Sequence, residues 1–190
     1  QHGLDHEFFV KGEFGKGRPL SCLQHDALLG QVYMDRLFGP EGWQRVFVPP
    51  NHMITDEFKA LLPLLGYKGL SMGEPLRERM SHVREKNAVV DLMNWSQHRL
   101  HNWEDLIGQV VRQMAERRLG KQPRTRPIGI LTHHRVFDEM GWRLTRRLLE
   151  ALLTHKASVF LEPSAIFPDE KCYTDESSGK IKWTYDDPNA

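Results

Sequence analysis

Cysteine is scarce, with only Cys22 and Cys172 in 190 residues. Two thiols cannot build a disulfide scaffold or a four-cysteine metal site, and nothing in the sequence argues that they pair. Charge of one sign is missing as well. The 26 Lys and Arg against 25 Asp and Glu leave a net charge of +1, which disfavours a uniformly basic nucleic-acid binder. No apolar run approaches the roughly 20 residues needed to span a bilayer. Internal repeats and low-complexity segments are lacking. With 39% hydrophobic and 27% charged residues, the composition is neither disordered nor fibrous, and the length suits one domain with a sizeable core. The chain opens Gln1-His2-Gly3, with neither Met nor a signal peptide. The expectation is a processed or N-terminally truncated chain whose targeting information, and hence localisation, lies upstream.

Short apolar runs alternate with helical periods. Residues 21–38 predict a helix capped by Ser21, with Leu23, Ala27, Leu28, Val32 and Leu37 at its apolar positions and Gly39-Pro40 as its stop. Residues 45–48 predict a strand halted by Pro49-Pro50. Thr55 can cap a helix reaching about Leu65, although Pro63 would interrupt its ladder. Residues 69–72 form a weak strand candidate and 88–93 a stronger one. Asn102 caps a helix carrying Leu106, Ile107, Val110, Val111, Met114 and Leu119, with Gly120 beyond its end. Residues 128–132 suit a buried parallel strand. Residues 138–154 predict an amphipathic helix, 158–161 a last strand and 163–167 a helical turn. This alternation predicts an α/β fold with parallel strands. The tail differs: 171–175 and 180–185 flank Glu176-Ser177-Ser178-Gly179 as a hairpin with a four-residue loop.

In a parallel α/β barrel, chemistry gathers at the C-terminal ends of the strands. Four segments of this chain deliver polar residues there. Pro50, Asn51 and His52 follow the 45–48 strand, and Asp91, Asn94 and Trp95 lie at or past the 88–93 strand. His133, His134 and Asp138 follow the 128–132 strand, and residues 1–7 would follow a strand lost upstream. Histidine is in excess, with 10 copies. His2 and His6 are four apart and can share a helical face to chelate a metal, typically Zn²⁺. At this abundance roughly half a pair at that spacing arises by chance, so solvent-facing histidines are the competing reading. His133 and His134 read either as general acid or base, since imidazole titrates near neutrality, or as rim histidines bonded to backbone. Asp91 either orients such a histidine or caps the following loop. Trp43 and Trp95 read more readily as core residues than as sugar platforms. Asp56-Glu57 and Glu116-Arg117-Arg118 read as solvated faces.

These segments together resemble the polysaccharide deacetylase family (carbohydrate esterase family 4, the NodB homology domain), and in particular a bacterial branch with a Gln-His-Gly-x-x-His segment. The resemblance runs over residues 1–167 and leaves 168–190 as a polar tail. Its carriers are Q-H-G-L-D-H-E at 1–7, F-V-P-P-N-H at 47–52, L-G-Y-K-G-L-S at 65–71, V-D-L-M-N-W at 90–95 and G-I-L-T-H-H-R-V-F-D-E at 129–139. It implies a distorted (β/α) barrel, incomplete here because N-terminal strands are missing, and metal-assisted removal of an N-acetyl group from an amino sugar. His2 and His6 then match the metal's histidine ligands, with Zn²⁺ the expected metal. His133 matches the group that protonates the leaving amine, and Asp91 the carboxylate that supports it. Pro50, Asn51, Trp95 and His134 would line the substrate groove.

Several positions depart from the family pattern. The family's Asp-Asp motif, which supplies a metal ligand and the general base, comes before the His-x-x-x-His segment, and no such pair precedes His2 in these 190 residues, so this chain alone is expected to be inactive. Asn94 replaces the second Asp of Asp-x-x-Asp-Trp, no arginine lies in 47–52, and His134 stands where many relatives have Asp. These departures keep two other readings open: a non-catalytic carbohydrate-binding relative, and a hydrolase of a small amide or nucleotide-sugar.

Overall fold

Capping residues and prolines set the element boundaries in the computed structural model, which describes residues 1–5, 12–73, 83–168, 172–175 and 180–183. In chain order these elements are α1 (Leu20–Phe38), β1 (Val46–Phe47), a single 3₁₀ turn (Pro50–His52), α2 (Asp56–Leu61), β2 (Gly69–Leu70), β3 (Arg84–Glu85), β4 (Ala88–Asp91) and β5 (Met93–Asn94). There follow β6 (Arg99–Leu100), α3 (Trp103–Arg118), β7 (Gly129–Leu131), α4 (Glu139–Thr154), α5 (Pro163–Ile166), β8 (Cys172–Asp175) and β9 (Lys180–Trp183). Three helices start on side chains that accept a first-turn N–H: Thr55 from Phe58, Asn102 from Asp105 and Asp138 from Gly141. Each such cap contributes about 1 kcal/mol.

The strands are shorter than the sequence expectation, and the one expected at 88–93 ends at Asp91, with Met93–Asn94 a separate strand; two helix boundaries differ as well. Helix α1 begins one residue early because the Pro19 carbonyl accepts from Cys22 and Leu23, which places Ser21 inside the first turn rather than at its cap. Helix α2 stops at Leu61 instead of Leu65. Pro63 has no N–H to continue the ladder, and the chain closes in a turn through the Gly66 N–H to Pro63 O bond.

The architecture is mixed α/β with short strands. Strands β1, β2 and β3 form a sheet in that order, β4 pairs with β7, β5 with β6, and β8 with β9. The β4–β7 pair is parallel, with Asp91 opposite Leu131, and α3 lies between its strands in sequence, as a βαβ unit requires. The expected tail hairpin is present, with Asp175 opposite Lys180. The strand expected at 158–161 is absent. This apolar stretch leaves α4 through a turn in which Ser158 N–H bonds His155 O; Val159, Phe160 and Leu161 lie exposed, with no ladder partner among the described residues. No described helix is long and apolar enough to cross a membrane.

The chain divides into two compact units, one comprising Gln1–Gly69, His82–Arg84 and Glu162–Ala190, the other Leu70–Ser81 and Glu85–Leu161. The first is centred on aromatic rings. Phe14 meets Phe47 edge-on at 4.8 Å and Phe58 at 5.0 Å, and Phe47 meets Tyr67 at 5.2 Å, contacts of about 0.5–1.5 kcal/mol each beyond burial. The core of the second is aliphatic: Val90, Leu92, Leu106, Val110 and Leu148.

The helices bury narrower stripes than their sequences suggest. In α1 the buried positions are Leu23, Ala27, Gly30 and Gln31, so Leu28, Val32 and Leu37 fall off that stripe and are exposed. Val111 and Met114 of α3 are exposed for the same reason, and Leu119, expected within that helix, caps its end and is exposed too. Strand β7 is half-buried rather than buried, because among the described residues it pairs only with β4. Arg117 is not on a solvated face. Its Nε and Nη2 are buried, and burial, reinforced by the nearby Arg126 charge, lowers its pKa.

Candidate functional site

Strand β4 ends on Asp91, and β7 ends two residues before His133. Because the strands are parallel and Asp91 sits opposite Leu131, both residues emerge at the same end of the pair. His133 Nε2 lies 2.8 Å from Asp91 Oδ1. A carboxylate only accepts, so Nε2 carries the donated proton, and in the neutral ring the lone pair falls on Nδ1. The second carboxylate oxygen, Oδ2, accepts from Trp95 Nε1 at 3.1 Å. The Trp95 ring meets His133 edge-on at 4.8 Å. The side chains of His133 and Asp91 are 19% and 30% exposed, so the pair is accessible without being fully solvated. Asp91 thus does both things the sequence left open: it contacts the histidine, and its Oδ1 accepts from Met93 N–H at 2.8 Å, closing the turn after the strand.

The backbone of Asp91 is held from α3. Gln109 Oε1 accepts from Asp91 N–H at 2.9 Å, and Gln109 Nε2 donates to Asp91 O at 3.0 Å. A carboxamide here imitates the hydrogen bonding of a neighbouring strand. Gln109 is a functional contact that no motif marks. Its signal was present, since Leu106, Gln109, Val110 and Gln113 follow helical spacing along one face, with two amides among apolar residues.

The remaining candidates in this unit fall nearby in sequence but serve other contacts. Trp95 is 47% exposed, not a core residue. Asn94 Oδ1 accepts from Ser96 Oγ at 2.7 Å and Gln97 N–H at 3.2 Å, which ties it into the β5–β6 turn. Asp138 caps α4, and His134 is exposed. A cavity of about 210 Å³ is lined by Val89, His101, Gln109, Arg112 and Gln113. None of the residues expected to carry chemistry lines it.

His2 belongs to the first unit. Gln1 runs beside β1, its backbone nitrogen donating to Val46 O at 2.7 Å and its carbonyl accepting from Val48 N–H at 2.8 Å. The Gln1 carboxamide accepts from the Tyr67 hydroxyl, whose pKa burial raises, so that it remains a donor. His2 Nδ1 is 2.9 Å from Val48 O. A carbonyl accepts, so the proton sits on Nδ1 and the lone pair on Nε2, the orientation that a backbone carbonyl imposes on metal-binding histidines. The chemistry of His2 therefore fits a divalent metal. His6 lies outside the described residues, and among those described no group of three His, Cys, Asp or Glu gathers as a metal site. Pro50 is buried, and Asn51 is exposed. Asn51 and His52 both take left-handed backbone, with φ of 55° each, a conformation that costs non-glycine residues energy and recurs at functional loops.

Comparison of the chain with protein-family models, curated proteins and solved structures returned no match.

Proposed function

We propose that this chain belongs to a metal-dependent N-deacetylase acting on an acetylated amino sugar, polymeric or conjugated, within a distorted (β/α) barrel. The observation that carries the reading is the 2.8 Å contact between His133 and Asp91 at the shared end of two parallel strands. An amide departs only when its nitrogen is protonated, because an amide anion is too basic a leaving group. His133 supplies that proton from Nδ1, while Asp91 holds Nε2–H and stabilises the cationic ring. Trp95 fixes the second oxygen of Asp91 and keeps the carboxylate aimed at the imidazole. His2 and His6 would hold the metal, expected to be Zn²⁺, which when bound polarises the acyl oxygen and lowers the pKa of water. Pro50, Asn51, Trp95 and His134 are the proposed contacts to sugar.

A second reading, a non-catalytic carbohydrate-binding relative, is favoured by one observation. Asn94 stands where the family carries a carboxylate, and its side chain is spent on the β5–β6 turn. Acetate release from N-acetylated chito-oligosaccharides by the full-length protein separates the two. Zn²⁺-dependent release that His133→Ala removes supports the deacetylase. Saturable sugar binding without release, unchanged in His133→Ala, supports the binding protein.

A further inference from the structure

We infer that Glu13 is a positioning residue that holds the His2 segment in its metal-binding geometry; the inference rests on the reading of His2 proposed above. Glu13 is only 2% exposed. A carboxyl group in a protein interior is costly unless its oxygens are hydrogen-bonded, so its presence there calls for partners. Its partners include the backbone just after His2. Oε1 accepts from Leu4 N–H at 2.7 Å and from Asp5 N–H at 3.3 Å. Oε2 lies against Gly3, where an added Cβ would come within 2.3 Å of it. Gly3 itself has a φ of +66°, which turns the chain so that consecutive N–H groups face one acceptor. One carboxyl group thus contacts three successive residues.

Glu13 has a rigid base from which to do this. The adjacent Phe14 is buried among Phe47 and Phe58, and its carbonyl accepts from Thr55 N–H at 3.1 Å. Arg18 Nη1 also donates to the Glu13 carbonyl at 2.9 Å. On the N-terminal side, Gln1 and His2 are fastened to β1 and Val48 as described. The segment is therefore held before and after His2, and Glu13 supplies the second hold. Contacts of this kind around metal ligands change affinity by about 10- to 100-fold.

The test uses the full-length protein with Zn²⁺ affinity read by chelator competition, backbone hydrogen exchange over residues 1–5, and thermal unfolding by circular dichroism. Glu13→Leu, which cannot accept a hydrogen bond, is expected to weaken Zn²⁺ binding at least about tenfold and to speed exchange at Leu4 and Asp5. Glu13→Gln, which keeps an acceptor oxygen, should restore both to near the wild-type values. Wild-type affinity and exchange in Glu13→Leu would overturn the inference. If Glu13→Leu does not fold, Gly3→Ala breaks the same contact from the other side, and is expected to give the same loss. Unchanged Zn²⁺ affinity there would overturn the inference equally. His2→Ala keeps the two claims apart. Equal Zn²⁺ binding by His2→Ala and the wild type overturns the metal reading, and slow exchange at Leu4 and Asp5 in Glu13→Leu overturns the positioning claim whatever the metal does.

Discussion

In the second unit Asp91 and His133 meet because one ends and the other follows a strand of a single parallel pair, whereas in the first unit His2 sits in a stretch with no regular element of its own. Ladder geometry alone brings Asp91 and His133 to one end; a side-chain clamp from Gln109 then fixes the strand residue. The His2 segment borrows its order instead, from β1 on one side and from a buried carboxyl group on the other. The contrast shows two routes to a placed imidazole. One needs a pair of parallel strands and one amide. The other needs several long-range contacts, each with its own partner.

The largest expected effect tests the strand-built pair. His133→Ala in the full-length protein should lower kcat about 10²- to 10⁴-fold, the usual worth of general acid catalysis, measured as acetate release under saturating substrate. Unchanged turnover would remove His133 from the mechanism and leave only a structural contact. Next in size is the aliphatic core beneath that pair. Leu148→Ala should cost about 2–5 kcal/mol, with the loss read from denaturant unfolding. Hydrogen exchange should show it concentrated in 85–161. Equal loosening of 12–69 would mean that the two units do not unfold separately.

The clamp comes third. Gln109→Leu leaves the Asp91 N–H and C=O without that partner and should cost about 1–3 kcal/mol, with Asp91 N–H exchange rising most. Protection unchanged at Asp91 would show that the amide does not substitute for a strand. On the other side of the comparison, Gly30→Ala puts a methyl group 1.9 Å from the Gln1 carboxamide. Overpacking of about 1–3 kcal/mol is offset by about 1 kcal/mol of helix propensity, so the net loss in thermal unfolding is small while exchange at Val48 rises. Smallest is Asn94→Asp. A carboxylate accepts the same two bonds and gives up only the exposed 3.3 Å donation from Asn94 Nδ2 to Gln97 Oε1, so stability should stay within about 0.5 kcal/mol. Any gain in acetate release would support the proposed deacetylase reading.

The caps of α2 and α3 were legible because Thr55 and Asn102 each precede a helical period and their side chains find the expected N–H groups. The β4–β7 strands were legible from Val89-Val90 and from the 128–132 run, and with them the shared end that carries Asp91 and His133. The strand expected at 158–161 was not realised. Its apolar residues match a strand pattern, but a strand exists only where an edge accepts its hydrogen bonds. Leu28 and Val32 of α1 and Val111 of α3 lie exposed, because periodicity names a stripe without saying how much of it a neighbour covers. Trp95, expected in the core, lies half exposed, with its indole N–H bonded to the Asp91 carboxylate.

By itself the sequence determined the starts of α2 and α3 and which residues leave the β4–β7 pair, since capping and hydrophobic alternation act over a few neighbours. It also set the excess of histidine and the near balance of charge. Only the tertiary structure decided that the proton of His133 faces Asp91, that an amide from α3 replaces a strand, and that Glu13 is buried against the turn after His2. Those contacts join residues 9 to 42 positions apart, and hydrogen-bond partners at such separations are chosen by packing rather than by local spacing.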